Sequence, residues 1–263
     1  MRRISPLSAP PPPIQSAMPL EALIFDVDGT LAETEELHRR AFNEAFAHLG
    51  FDWHWSSDLY RDLLQVTGGK ERIRHYIENA RPKDGDRALA EMSALHREKT
   101  RRYGTLVAAG TLKPRYGVLR LIQEARAEGV KLAIATTSDP ANVEALLRAS
   151  FAPDAPSWFS VIGAGDVVPK KKPAPDVYLY VLKKLGIPAG HAIAIEDSEN
   201  GLLAALAAGL TVVATPSSYT DTDDFSKAHV ILSDLGDEHA PSRRLGGHAL
   251  DRVDLASLRK LLA

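Results

Sequence analysis

The sequence predicts an α/β fold: a Rossmann-like, doubly wound parallel sheet as the core, with an inserted helical cap domain. Short apolar runs recur along the chain with helical stretches between them, and one long stretch after the first run has no strand pattern. Alternating strands and helices favour a parallel sheet covered on both faces, because each helix returns the chain to the same end of the sheet.

The predicted strands are short apolar runs bounded by polar residues. Leu23-Ile24-Phe25 ends directly at a charged residue, which is typical of a buried parallel strand. The later strands that we expect on the same grounds are 131–135, 192–195, 211–214 and 230–232.

Three helices are expected between these strands. Residues 117–128 place their apolar side chains on one helical face. Asp139-Pro140 opens a second helix, since proline is favoured at the first helical position. Ser198 can cap a third helix over 199–208, because its hydroxyl can accept from a free backbone amide of the first turn.

The stretch after the first strand has a different character, because residues 33–110 carry only helical patterns. The helices expected there are 34–49, 57–64, 70–78 and 85–103. A helical insert of this size is typical of a second domain on an α/β core. We therefore expect a helical cap at 33–110 and an α/β core formed by 18–32 and 111–263.

Residues 1–17 differ from the rest of the chain. They carry two arginines, no acidic residue and the proline cluster Pro10 to Pro13, so they cannot supply a packed apolar face. We expect a disordered extension. A targeting peptide is the alternative, because Arg2 and Arg3 precede several serines, although a secretory signal would require an apolar stretch.

Composition narrows the class of protein. Apolar residues make up 44% and charged residues 25% of the chain, which is ordinary for a soluble globular enzyme. Apolar runs stay far below the roughly 20 residues of a membrane span, so no membrane partner is expected. The net charge of −2 argues against nucleic acid as a partner. The absence of cysteine excludes disulfides and thiol chemistry and suits a cytoplasmic location, and a monomer is the default expectation.

Polar side chains follow the predicted strands at their carboxyl ends, where ligands bind in open parallel sheets. Carboxylates crowded at one edge cannot all ionise at low cost unless a cation lies among them. Mg²⁺ typically takes one or two such carboxylates together with phosphate oxygens. The residues that we expect to meet at this edge are Asp26, Asp28, Thr136, Thr137, Ser138, Lys172, Glu196 and Asp197.

The same residues suit a phosphate beside the cation. Thr136 and the start of the helix after Pro140 offer a hydroxyl and free amides to an anion. Lys172 supplies a positive charge, and Gly29 permits a tight turn near the phosphate. Each feature alone has a simpler structural explanation, such as a surface turn, a helix cap or a solvated lysine run. Their joint occurrence at several strand ends predicts a Mg²⁺ and phosphate site.

These residues resemble the four motifs of the haloacid dehalogenase-like hydrolase superfamily, over about residues 20–235. The motif residues, in chain order, are Asp26 to Thr30, Thr136, Lys172, and Glu196 with Asp197. The resemblance implies that Asp26 attacks phosphorus and forms an aspartyl-phosphate, while Asp28 protonates the leaving oxygen and then activates water. It also implies that Asp26, the carbonyl of Asp28 and Asp197 hold Mg²⁺, with Glu196 as a direct ligand or as a neighbour of one.

Three runs resemble the CbbY group of this superfamily more closely. They are Glu33 to His38, Thr67 to Arg72, and Ala135 to Ser138. The resemblance implies a phosphatase for xylulose-1,5-bisphosphate, a sugar phosphate associated with the Calvin cycle.

A bisphosphate needs a second anion site in the cap. Gly69 can expose a backbone amide and Lys70 adds a charge at a helix start, which suits a distal phosphate. Arg61 is a weaker candidate for the same role. By resemblance, Glu35 binds sugar hydroxyls and His38 positions the reacting phosphate, and Thr137 is a further substrate-binding candidate beside the second motif.

Three alternative functions remain open at this point. A β-phosphoglucomutase-like enzyme would use the same aspartates but return the phosphoryl group to the sugar. A phosphoglycolate phosphatase would not need Lys70 and the cap glycines, because its substrate is small. A non-catalytic sugar-phosphate sensor would commonly lack one of the two aspartates, whereas Asp26 and Asp28 are both present.

Overall fold

The computed structural model describes residues 19–110, 112–237, 239–250 and 252–262. The extension predicted at 1–17 lies outside the described residues. Within them, seven strands form one sheet in the order β3-β2-β1-β4-β5-β6-β7. The strands are β1 Ala22–Phe25, β2 Lys131–Ala135, β3 Val161–Gly163, β4 Ala192–Glu196, β5 Thr211–Ala214, β6 Val230–Leu232 and β7 Arg244–Gly247.

The register of the central strands determines where their polar ends emerge. Phe25, the last residue of β1, lies beside Ile134 of β2 and Ile195 of β4. The residues that follow these strands therefore leave the sheet at the same level. The strand order reverses direction at β1 and β4, which is where open α/β sheets bind their ligands.

Ten α-helices connect or flank the strands of the described chain. They are α1 Glu35–His48, α2 Ser57–Leu63, α3 Gly69–Ala80, α4 Gly85–Ala90, α5 Met92–Ala108, α6 Val118–Ala127, α7 Pro140–Ser150, α8 Asp176–Leu185, α9 Glu199–Ala207 and α10 Leu255–Leu261. No helix among the described residues is long and apolar enough to cross a membrane.

The helices of the core lie on both faces of the sheet. One apolar cluster joins α6, α7 and α10 to Leu23 and Phe25 of β1. A second cluster joins α8 and α9 to Ala22 and Ile24, whose side chains point to the opposite face. The predicted doubly wound α/β architecture is therefore confirmed.

Helices α1 to α5, called the cap helices below, follow β1 and have an apolar core of their own. Phe42, Phe46, Trp55, Tyr60 and Leu95 are fully buried in that core. Helix α1 packs along α5. These helices lie within the predicted insert, and the exact domain boundaries at 33 and 110 stay a prediction.

Several predicted elements differ from the observed ones. The helix predicted over 85–103 is divided at Glu91 into α4 and α5, and α5 continues to Ala108. Three elements were not predicted, namely β3, β7 and α8. Strand β3 has only three residues, β7 contains two glycines and no apolar run, and prolines precede α8. The strands that were predicted all pair in parallel, and the unpredicted β7 adds an antiparallel edge beside β6.

The cap core should carry a large share of the stability of the cap helices. Leu95→Ala removes a fully buried side chain from α5, so we expect the free energy of unfolding to fall by about 2–5 kcal/mol. Urea denaturation followed by tryptophan fluorescence measures this, since Trp53 and Trp55 belong to the cap core. Leu89→Ala, at a leucine that is 40% exposed, is the control and should change stability by less than about 0.5 kcal/mol. Equal effects would contradict the assignment of the core.

Candidate active site

A cavity of about 790 Å³ lies between the carboxyl ends of the strands and the cap helices. The sheet contributes Asp26, Thr136 and Asp197 to its wall, and the cap contributes Glu35 and His38. Most of the predicted site residues therefore line one cavity.

Lys172 connects two of the predicted strand-end carboxylates. Its ammonium donates to Asp26 Oδ1 and to Glu196 Oε1, each at 2.5 Å. The hydroxyl of Tyr178 donates to the same Glu196 oxygen, also at 2.5 Å. Burial opposes the charge of Lys172, but the carboxylates of Asp26 and Glu196 outweigh it and raise the pKa of Lys172.

Asp26, Glu196 and Asp197 form a buried acidic cluster. One oxygen from each lies within 4.8 Å of the others. Burial raises the pKa of Asp26 to about 7 despite the nearby ammonium of Lys172. Burial, and then the charges of Asp26 and Glu196, raise the pKa of Asp197 as well. Three carboxylates face one ammonium, so a divalent cation with oxygen ligands fits the excess negative charge.

Gly29 allows Asp197 to approach the loop after β1. Its φ is +80°, and a Cβ atom there would lie 2.0 Å from Asp197 Oδ2. The hydroxyl of Thr30 donates to Asp197 Oδ1 at 3.2 Å, and Thr220 from the loop after β5 donates to the Asp197 carbonyl. The acidic cluster thus requires glycine at position 29.

The Asp28 side chain is held outside the acidic cluster by three hydrogen bonds. Thr34 donates to its Oδ1 at 2.6 Å, His38 Nε2 lies 2.8 Å from the same oxygen, and Ser138 donates to Oδ2. Burial alone would raise the pKa of Asp28, but the electrostatic attraction of His38 and these hydrogen bonds outweigh it and lower the pKa. The surroundings of Asp28 therefore favour its carboxylate form when the cavity holds no substrate.

His38 is in turn fixed by a buried lysine of α5. Lys99 Nζ lies 2.6 Å from His38 Nδ1, and the ring of Tyr103 stacks on His38 at 4.0 Å. An ammonium has no acceptor lone pair, so Nδ1 accepts and the proton resides on Nε2, facing Asp28. Burial lowers the pKa of Lys99 to about 8. Core and cap thus share one hydrogen-bonded chain from Asp28 to Lys99.

The residues after β2 face the same cavity. Thr136 is buried, and its hydroxyl accepts from the Ser138 amide at 3.2 Å. Asp139 caps α7 by accepting from the Ala141 amide at 2.9 Å, and Thr137 also lines the cavity. The free amides at the start of α7 offer anion binding at this edge.

The substrate-binding candidates of the cap are placed unequally. Glu35 lines the cavity and accepts from the Tyr60 hydroxyl at 2.8 Å. Gly69 and Lys70 also line it, and Lys70 pairs with Asp166 of the core at 2.8 Å.

Arg61 is occupied by the loop after β5, although it also borders the cavity. It donates to Asp221 at 2.6 Å and to the Ser218 carbonyl at 2.8 Å. In the same loop, the Tyr219 hydroxyl donates to Glu36 of α1 at 2.7 Å. A role for Arg61 in substrate binding stays a prediction.

Four residues of the site were not predicted as such from the sequence: Lys99, Tyr60, Arg72 and Tyr178. Arg72 donates to the Tyr60 hydroxyl at 2.9 Å, and that hydroxyl donates to Glu35. The two residues therefore orient the Glu35 carboxylate. One signal could have identified Lys99. It occupies an internal position of the four-residue spacing that runs through Leu95, Lys99, Tyr103 and Val107, all of them buried.

Comparison with known proteins identifies the class to which this site belongs. Residues 20–209 match the family of haloacid dehalogenase-like hydrolases. The chain belongs to that family, and the prediction of a hydrolase enzyme is confirmed.

Within the family, the chain is most usefully compared with CbbY proteins. It is 54% identical over 218 residues to protein CbbY of Rhodobacter capsulatus, covering 83% of this chain and 95% of that one. CbbY from Rhodobacter sphaeroides in complex with phosphate has a TM-score of 0.78 and 50% identity, over 82% of this chain and 94% of that one. A mutant of that protein in complex with xylulose-(1,5)bisphosphate has a TM-score of 0.79 and 49% identity, over 84% and 98%. The chain is thus a member of the CbbY group.

The close approach of Gly29 to Asp197 gives a test of the acidic cluster. Gly29→Ala should displace the Asp197 carboxylate and weaken Mg²⁺ binding by about tenfold to a hundredfold, measured by titration calorimetry of the free protein. Gly50→Ala is the matched control, because Gly50 has a φ of +71° and nothing within 4 Å of an added Cβ. Unchanged Mg²⁺ affinity in Gly29→Ala would argue against a metal at this cluster.

Proposed function

We propose that this protein is a Mg²⁺-dependent phosphatase that hydrolyses a sugar bisphosphate, xylulose-1,5-bisphosphate, through an aspartyl-phosphate on Asp26. One observation carries the proposal: two aspartates, two residues apart, lie in opposite environments. Asp26 contacts the ammonium of Lys172 at 2.5 Å within the acidic cluster, whereas Asp28 is held outside it by His38 and its hydroxyl neighbours. Such a difference divides the roles of nucleophile and proton carrier.

Asp26 is placed to act as the nucleophile. The ammonium of Lys172 balances the charge that accumulates when a carboxylate approaches a phosphate dianion. Asp26, the carbonyl of Asp28 and Asp197 would hold Mg²⁺, and the bound ion would supply further neutralisation of the phosphate oxygens. Glu196 gives one oxygen to Lys172 and Tyr178, so we assign it to holding Lys172 rather than to the ion itself.

Asp28 would carry the proton through both halves of the reaction. As the acid it protonates the leaving sugar oxygen, and as the carboxylate it takes a proton from the water that attacks the aspartyl-phosphate. The proton gained in the second half restores the acid for the next cycle. Thr34, His38 and Ser138 keep the carboxylate directed into the cavity.

A substrate with two phosphates accounts for a second group of charges. Lys70 of α3 and Lys171 of the core both pair with Asp166, at 2.8 and 2.7 Å, and all three line the cavity. The group has an excess positive charge. The Lys70 and Asp166 side chains are 38% and 67% exposed, so their pair is weak and a phosphate can replace Asp166. Gly69 lies beside Lys70 at the start of α3 and adds free amides.

The cap would close the site during the reaction. Thr67, between α2 and α3, donates to the backbone carbonyl of Lys172, and Asn200 donates to the Gln65 carbonyl at 3.0 Å. These contacts cover the cavity and reduce the access of bulk water to the acyl phosphate.

The central test is phosphate release from xylulose-1,5-bisphosphate with Mg²⁺. We expect the wild-type protein to release inorganic phosphate and Asp26→Asn to be slower by more than about a thousandfold, because an amide is not a nucleophile. Sugar isomerisation without phosphate release would instead establish a mutase, and unimpaired release by Asp26→Asn would exclude the aspartyl-phosphate mechanism. Chelation with EDTA should stop release, and added Mg²⁺ should restore it.

The chain from Lys99 to Asp28 gives a second test. Lys99→Met removes the donor to His38 Nδ1, so the tautomer that directs a proton at Asp28 is no longer fixed. We expect kcat to fall by about tenfold to a hundredfold with little change in the melting temperature. Lys83→Met, at an exposed lysine of the cap, is the control. Equal kcat in the two variants would show that Lys99 does not act through His38.

A further inference from the structure

Two polar side chains of the cavity have no part in the chemistry described above. His96 projects from α5, and Asn142 lies in the first turn of α7. Both line the cavity. Neither contacts the acidic cluster, Lys172 or Asp28 by a hydrogen bond among the described residues.

His96 lies between the two charged parts of the site. It precedes Lys99 by three residues, which places it about one turn along the same face of α5. Its ring packs directly on Gly69, since a Cβ there would lie 2.8 Å from His96 Nε2. His96 thus lies between two parts of the site. One is the Lys99–His38 pair that orients Asp28, the proposed acid and base, and the other is the proposed distal phosphate site at Lys70.

The imidazole of His96 is neutral and free to bind. Burial, then the charge of Lys99, lower the pKa of His96 to about 4; the other charged groups around it are Lys70, Asp139 and Asp166. Within the described ranges its ring makes no hydrogen bond. One ring nitrogen can donate and the other can accept.

Asn142 presents a second unsatisfied group. Asn142 is buried, with 3% of the residue exposed, and its Oδ1 has no hydrogen-bond partner among the described residues. A buried polar atom without a partner is costly. Oδ1 is closed off from the cavity in this conformation, but Nδ2 of the same amide also makes no hydrogen bond among the described residues. Because Asn142 lines the cavity, Nδ2 can donate to a ligand there, and rotation of the amide would exchange it with Oδ1.

We propose that His96 and Asn142 bind hydroxyl groups on the carbon chain of the substrate and so select a polyhydroxylated sugar bisphosphate. This inference rests on the proposed function. A neutral imidazole and an amide can each donate and accept hydrogen bonds, as sugar hydroxyls also do. The negatively charged distal phosphate instead suits the ammonium of Lys70. Rejection of a substrate without hydroxyls then follows, because it leaves the polar groups of the half-buried His96 and the buried Asn142 unpaired.

The test compares three substrates under the same Mg²⁺ concentration. They are xylulose-1,5-bisphosphate, pentane-1,5-diol bisphosphate, which lacks the hydroxyls and the carbonyl, and the small ester acetyl phosphate. We expect His96→Leu to lower kcat/KM for the sugar bisphosphate by about tenfold to a hundredfold. The values for the diol bisphosphate and acetyl phosphate should stay within about twofold. His96→Asn, which keeps hydrogen-bonding groups, should recover part of the loss.

Asn142→Leu separates binding from folding. Replacing an unpartnered amide should leave the melting temperature equal or higher, while kcat/KM for the sugar bisphosphate falls as in His96→Leu. His54→Leu, at an exposed histidine of the cap, is the control for both variants.

The outcomes distinguish the inference from the function on which it rests. An equal loss for all three substrates in His96→Leu and Asn142→Leu would assign these residues a structural role and overturn the inference, as would no loss for any. A wild-type protein that cleaves acetyl phosphate but no sugar bisphosphate would overturn the proposed function itself.

Discussion

The ammonium of Lys172 makes the acidic edge of this sheet possible. Asp26 and Glu196 each lie 2.5 Å from it, and without that charge two buried carboxylates would repel each other in a medium of low dielectric constant. The remaining charge, centred on Asp197, is what a divalent cation would balance. The sheet register therefore brings the carboxylates together, and the positive charge on Lys172 Nζ offsets their mutual repulsion.

The cap helices cover the cavity and also supply residues that orient Asp28 in it. Asp28 belongs to the loop after β1, but its partner His38 is on α1 and the lysine that fixes His38 is on α5. Asp28, the proposed proton carrier, is thus oriented by residues on two cap helices that pack on each other. Opening of the cap would leave the His38–Lys99 pair intact, because both residues lie on cap helices. It would also leave the three core carboxylates together. It would change only the position of His38 relative to Asp28 and the core.

The core site could be predicted from the sequence because its residues follow apolar runs directly. Asp26, Thr136 and Asp197 each come within a residue or two of a strand end, and the strand register then brings them to one edge. The role of Lys99 could not be predicted in this way, since its ammonium pairs with His38, which is 61 residues away in sequence. The same holds for β7, whose Arg-Leu-Gly-Gly sequence forms a strand only because β6 offers an edge. The local sequence pattern thus predicts most strands and helices. The role of a buried polar side chain depends on residues that are distant in sequence.

The loop after β5 has an unusual double attachment. Thr220 holds the Asp197 carbonyl, while Ser218 and Asp221 in the same loop accept from Arg61 of the cap. Surface loops ordinarily tolerate insertions and deletions. A change of length in this loop, however, would displace either its contact with Asp197 or its contacts with Arg61 of the cap. This stretch of surface is therefore as restricted in length as a core strand, and among relatives it is a poor place to expect variation.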